Sequence, residues 1–171
     1  MFHVLPEQVI IVCYLGLLAW AACSDAIEFE IPNTASLGLA ILYPLFVLIN
    51  PQPIDWPWAL VVAAIVFAAS FQLHAFGRFG GGDVKLLTAS ALWAGPSLIL
   101  PMLVVMSLAG GVLALLVWGL NRVRRNNLRY HLTPHGDVSL TTAAYAVSNR
   151  LPYGVAIAVG AGLVGLHLAS G

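Results

Sequence analysis

The stretch Gly77-Arg78-Phe79-Gly80-Gly81-Gly82-Asp83-Val84-Lys85-Leu86 decides how this chain is read. It carries four of the sixteen glycines and a single acid, and strongly apolar sequence flanks it on both sides. A carboxylate is costly in lipid, so an acid at the mouth of an apolar segment faces a protein interior or a water-filled cavity and acts there. Adjacent glycines let backbone approach backbone, or a substrate, with no side chain between. Non-helical backbone at membrane depth is tolerated only in such a shelter. A plainer reading also stands, in which the segment is a flexible turn and its aspartate caps the helix that follows. The stretch alone does not separate the two.

Working outward, the composition supplies the missing context. Of 171 residues, 60% are hydrophobic and only 8% charged, with mean hydropathy +0.92. A soluble domain carries about 25% charged residues, so the chain reads as a polytopic membrane protein. One membrane-embedded domain is expected over 1–171, with no separate soluble domain of ordinary size. Seven basic side chains balance seven acidic ones, which makes nucleic acid an unsuitable partner and leaves membrane lipid as the surroundings. Cys13 and Cys23 both fall in the first apolar run and form no C-x-x-C pair, so neither a disulfide framework nor a zinc knuckle is indicated. No Lys or Arg precedes that run, so it is expected to be a retained span rather than a cleaved signal.

Six apolar runs follow one another: 8–23, 34–49, 57–76, 84–94, 97–120 and 152–169. The fold expected is all-α, with six transmembrane helices. Residues 24–33 join the first two runs and hold Asp25, Glu28 and Glu30 ahead of Pro32. Trp56 and Trp58 open the third run as interfacial anchors. The fourth run is short. Its eleven residues reach about 17 Å, against a hydrocarbon core of about 30 Å. It must start earlier, bend past Pro96, or sit inside the bundle. Gly154, Gly160, Gly162 and Gly165 in the last run suit close helix packing. Every basic side chain (Arg78, Lys85, Arg122, Arg124, Arg125, Arg129 and Arg150) falls in the first, third and fifth connectors taken together. The positive-inside rule then puts those connectors, including the loop 121–151, in the cytoplasm and both termini outside.

That sidedness brings Asp25, which closes the first span, and Asp83, which opens the fourth, to one membrane face. Two carboxylates sharing a site cannot both ionise easily, so one holds a proton and the other acts as a base. Such a pair can activate water and protonate a leaving group, which is peptide hydrolysis without metal or cofactor. Among the other polar residues, Lys85 suits an interfacial lysine more than a partner of Asp83, and Asn33 suits a cap for the second helix. His74 suits a structural hydrogen bond. His131, His135 and Asp137 resemble metal ligands only loosely; with Pro134 and Gly136 between them they read as a plain polar loop, and no metal is expected. Arg122, Arg124 and Arg125 serve topology and anionic lipid.

Three motifs in order carry a resemblance. Gly80-Gly81-Gly82-Asp83 fits the G-x-G-D signature of intramembrane aspartyl proteases, and Gly82-Asp83-Val84-Lys85-Leu86 resembles the second active-site motif of prepilin peptidases. Asp25, with five residues between it and Ile31-Pro32-Asn33, resembles the first motif of the short branch that serves tight-adherence (Tad/Flp, CpaA-like) pili. Pro152 to Ala158 is similar to that family's last span. The resemblance implies a peptidase that removes a short basic leader from a prepilin at the cytoplasmic face of the inner membrane. Asp25 and Asp83 would be its catalytic pair, Gly80, Gly82, Lys85, Pro32 and Asn33 its supporting motif residues, and pilus assembly machinery a candidate partner. Longer relatives also methylate the new N-terminus through an added cytoplasmic domain that this sequence lacks, so methyl transfer is not implied. The branch often has basic residues where this chain has Glu28 and Glu30. These two either attract a basic leader or are solvated connector acids. The competing function is a small transporter or channel subunit whose aspartates bind a proton or cation at broken helices. It would not require the matched motifs.

Overall fold

In lipid the backbone must satisfy its own polar groups, and apolar runs of this length do so as helices. A computed structural model describes residues 6–51, 53–129 and 151–170, with side chains omitted over 123–129, and among these it contains five α-helices and no strand. They are α1 (Pro6–Glu28), α2 (Asn33–Ile49), α3 (Trp56–Ala75), α4 (Gly81–Arg129) and α5 (Tyr153–Ser170). Four stretches are long and apolar enough to cross a membrane: α1, α3, Gly81–Arg122 within α4, and α5. The seventeen residues of α2 are equally apolar but shorter. The described residues are thus all-helical, and the chain is a multi-pass membrane protein.

The fourth and fifth runs appear as one helix with a break. Gly95 sits at φ 56, ψ −167 and interrupts α4 where the sequence reads Gly95-Pro96. All three remedies for the short run occur together. Its helix begins at Gly81 rather than at 84, turns at Gly95, and buries Val84, Leu86, Leu87, Ala89, Ala91, Trp93 and Ala94 inside the bundle. We call residues 81–94 the short limb of α4 and 96–129 the long limb.

Two further boundaries differ from the sequence expectation. The first helix does not stop at Cys23 but continues to Glu28, ending where Phe29 adopts φ 55. Asp25 is therefore inside a helix and lies on its buried stripe of Ile10, Ile11, Tyr14, Leu18 and Ala21. Nor does Asn33 cap α2. The capping position belongs to Pro32, which is extended (φ −61, ψ 129) and offers no side-chain acceptor.

Aromatic side chains fill the centre. The Trp93 ring lies 4.4 Å from Tyr14, 5.2 Å from Phe46 and 5.7 Å from Tyr43 between ring centroids, so α1, α2 and the short limb meet on one indole. Two of the three buried polar tips find backbone partners, and the Tyr43 hydroxyl finds none among the described residues. The indole N–H donates to Leu39 O (2.9 Å) and the Tyr14 hydroxyl to Ala161 O (3.0 Å). Three of the four glycines expected to allow packing in α5 do so, Gly154 against Asp25 and Ile31, Gly160 against Met102 and Met106, and Gly165 against Tyr14 and Leu15. Gly162 meets nothing within 4 Å.

These contacts fix the direction of the helices. α2 and the short limb run parallel, since the pairs Asn33–Lys85 and Leu39–Trp93 advance together. α1 and α5 run antiparallel, with Asp25 beside Val155 and Tyr14 beside Ala161. The end of α1 and the starts of α2, α4 and α5 thus share one end of the bundle. The end of α3 joins them, where His74 bonds Phe79 and Phe79 packs on Tyr153.

Candidate active site

Asp25 and Asp83 both lie at that shared end, and both are buried, 5% and 8% exposed. Each carboxylate is taken up by the first turn of a helix, where backbone N–H groups lack helical partners and the macrodipole is positive. Asp83 uses its own helix. It occupies the third position of α4, and its Oδ2 accepts from the N–H of Gly80 at 3.1 Å, the return half of a capping box. Asp25 uses a distant one. Its Oδ2 accepts from the N–H of Val155 at 3.2 Å, and the N–H of Gly154 also points at the carboxylate. Pro32 and Pro152 precede α2 and α5 without a side-chain acceptor, so Asp25 supplies the cap that α5 lacks. Asp83 lies within electrostatic reach of Asp25.

The plain reading of the glycine stretch is therefore half right. Asp83 does serve its helix start, as the third residue rather than the cap, and it does so buried beside a second acid.

Ile31 ties the two helix starts together. A Cβ on Gly82 would stand 3.0 Å from Ile31 Cβ, and one on Gly154 would stand 2.7 Å from Ile31 Cδ1 and 2.8 Å from Asp25 Oδ2. Without side chains at 82 and 154, α4 and α5 close on the segment that leaves α1. That segment is held in turn by Ser24 Oγ donating to Glu30 O (2.8 Å) and the Phe29 N–H donating to Asp25 O (3.0 Å).

Lys85 and Asn33 also meet. The ammonium donates to Asn33 Oδ1 at 2.8 Å. The expected cap and the expected lipid-facing lysine are thus partners of each other across α2 and α4. His74 fulfils its structural expectation through a 2.7 Å bond between Nδ1 and Phe79 O, which braces the turn leading to Gly80. Glu28 and Glu30 are exposed near the same end, and Trp56 and Trp58 are exposed at the start of α3. Arg122 lies over the Trp118 ring at 5.7 Å. His131, His135, Asp137 and Arg150, and the side chains of Arg124, Arg125 and Arg129, lie outside the described residues. Among the described residues no group of three His, Cys, Asp or Glu side chains is placed to hold a metal ion.

Residues 12–115, which contain both aspartates and all of the glycine stretch, match the sequence profile of the type IV leader peptidase family. The chain belongs to that family. Neither the curated proteins nor the solved structures contain a significant match to it. The peptidase is accordingly a membrane protease of the aspartic type whose substrates, as a class, are prepilins. Membership selects the enzyme over the ion-coupled transporter.

Three site residues carry no site role in the sequence reading. Gly154 reads there as a packing glycine, Ile31 as part of Ile-Pro-Asn, and Val155 only as part of the stretch from Pro152 to Ala158. The signal for Val155 is weak, because a backbone donor leaves no trace in residue type. The signal for Gly154 is better. A glycine one residue inside a helix that starts after proline, in a chain with a buried acid to accommodate, marks a helix start left open.

Proposed function

We propose that this peptidase cleaves the leader of Tad/Flp-type prepilins at the cytoplasmic face of the inner membrane, with Asp25 and Asp83 as the catalytic pair. The observation that carries the proposal is that two acids fifty-eight positions apart (25 and 83) are both buried at one bundle end, each on a helix N-terminus, with Asp83 in the field of Asp25. Two charges so placed oppose each other, and the pair is stable with one proton between them. Two backbone donors at Asp25 against one at Asp83 favour Asp25 as the ionised member. Asp25 then takes a proton from water as its oxygen attacks the scissile carbonyl carbon. Asp83 gives its proton to the amide nitrogen as the C–N bond breaks, and the exchange leaves the pair with a single proton again.

The six-span arrangement, with both termini outside and 121–151 in the cytoplasm, is part of the same proposal. Support comes from the break at Gly95, which divides α4 into two limbs, and from the parallel course of α2 and the short limb. The ends of α1 and α3 gather with the starts of α2, α4 and α5, as connectors on one side require. Arg78 and Lys85 stand at this end too. The Tad/Flp branch is favoured by Asp25 standing with five residues between it and Ile31-Pro32-Asn33, a motif whose isoleucine touches both helix starts at the site. Glu28 and Glu30 would face the basic leader. The pilus assembly machinery would be a downstream partner.

The test is leader removal from a co-expressed Flp-type prepilin, read as a mobility shift. Asp25→Asn and Asp83→Asn should each reduce it by roughly 100- to 10,000-fold. Cleavage at the unmodified rate in either variant would end the two-aspartate assignment.

A further inference from the structure

We propose that the hydrogen bond from Lys85 to Asn33 positions Asp83 against Asp25, which makes Lys85 and Asn33 positioning residues for the peptidase reaction; this rests on the two-aspartate reading above. The short limb that carries Asp83 is not a straight continuation of the helix that follows it. Gly95 interrupts the helical path, so helical continuity with residues 96–129 does not by itself set the orientation of residues 81–94. Lateral contacts must hold the limb instead, and two hydrogen bonds to α2 do so. At the far end Trp93 Nε1 donates to Leu39 O at 2.9 Å, and at the near end Lys85 Nζ donates to Asn33 Oδ1 at 2.8 Å. The near pin is two residues from Asp83.

Asp25 is anchored by other partners, the N–H groups of α5. The two carboxylates therefore have different immediate anchors, Asp25 on α1 against α5 and Asp83 on the short limb against α2, although Trp93 also packs on Tyr14 and Phe79 on Tyr153. Among the links between the two at the site is the segment from Phe29, at φ 55, to Asn33. Lys85 takes hold of that segment at its last residue, and Gly82 rests on it at Ile31. The bond goes to a neutral amide rather than to Asp83, so its effect on the acids is one of placement. An interfacial lysine serving lipid phosphate would have no need of Asn33, which separates the two roles experimentally.

Leader cleavage is measured with full-length protein in membranes for Lys85→Met, Asn33→Leu, their double variant and Asn33→Asp, alongside Asp25→Asn and Asp83→Asn. Displacement of a reacting group by an ångström costs roughly 100-fold, so each single disruption should lower kcat by roughly 10- to 100-fold with KM little changed. The double variant should be no worse than either single one, since both remove one contact. Asn33→Asp keeps an acceptor for the ammonium and should retain activity. If Lys85→Met does not accumulate in the membrane, Asn33→Leu and Asn33→Asp carry the same comparison. Wild-type kcat in Asn33→Leu, or additive losses in the double variant, would overturn the positioning role while the aspartate variants remain inactive. Activity surviving in the aspartate variants would instead remove the reading on which it rests.

Discussion

Gly154→Ala is the smallest change that should reach Asp25 without altering it. The added Cβ would stand 2.8 Å from Asp25 Oδ2, where ordinary van der Waals contact begins at 3.4 Å, a shortfall of 0.6 Å. It would also stand 2.7 Å from Ile31 Cδ1, but that methyl ends a flexible side chain and can rotate away. The carboxylate has less freedom, because Oδ2 is the atom that accepts from Val155 at 3.2 Å. That bond is already at the long edge of the usual N–H···O range. Displacing the oxygen by the shortfall breaks it and, on the proposed two-aspartate reading, moves a reacting group by more than half the ångström that typically costs roughly 100-fold. A fall in kcat of roughly 10-fold or more is expected, together with about 1–3 kcal/mol of overpacking. The assay is initial-rate leader cleavage at matched membrane protein levels, with thermal unfolding in detergent alongside. Gly162→Ala is the control, since a Cβ there meets nothing within 4 Å and should leave the rate unchanged. Equal rates for Gly154→Ala and Gly162→Ala would refute the claim that the start of α5 holds Asp25.

Two other expectations concern separate parts of the molecule. Gly160→Ala should lower the unfolding temperature more than Gly165→Ala: its Cβ would strike the Met102 carbonyl oxygen at 2.7 Å, a backbone atom that cannot turn aside, whereas at Gly165 the 2.7 Å approach is to the flexible end of Leu15 and the Tyr14 ring stands farther off at 3.0 Å. Equal unfolding temperatures would show that α5 adjusts its packing freely. Joint replacement Glu28→Gln and Glu30→Gln should raise KM for a basic leader and leave kcat alone, both acids being exposed and outside the buried pair. An unchanged KM would make them ordinary solvated acids.

The parts of this architecture that depend on hydrophobic runs were readable from residue order. Lipid allows few backbone solutions, so each apolar run became helical, and Gly95-Pro96 marked the break in α4. The end of α1 was harder. Ser24, Asp25 and Glu28 look like the start of a polar connector, yet the helix continues through them because Asp25 falls on the stripe of Tyr14, Leu18 and Ala21 and is drawn inward. The stripe was present in the sequence; the polar residue type concealed it. Asn33 misleads differently. It has a sound local role as a cap, but Pro32 holds the capping position and the Asn33 amide meets Lys85, a partner 52 positions away. Local rules weigh a residue against its neighbours in sequence and carry no information about which distant helix starts beside it.

The same limitation explains why the site is larger than its motifs. Residues 12–115 define the family match and include both acids, yet α5 begins at Tyr153, beyond it. A pair of buried carboxylates needs donors at more than one point, because an unmet charge in a protein interior is expensive. Asp83 can draw its donor from the turn that precedes it, so its requirement is written locally as glycines followed by an acid. Asp25 lies near the end of a helix, where the local dipole is negative and nearby N–H groups are already used. It must borrow a helix start from elsewhere. The only requirement such a lender must meet is to begin at the right place with nothing protruding, and Pro152-Tyr153-Gly154 meets it with one proline and one glycine. That is a weak mark in sequence and a strong one in space, and it makes α5 as much a part of the candidate site of this peptidase as the two helices that carry the aspartates.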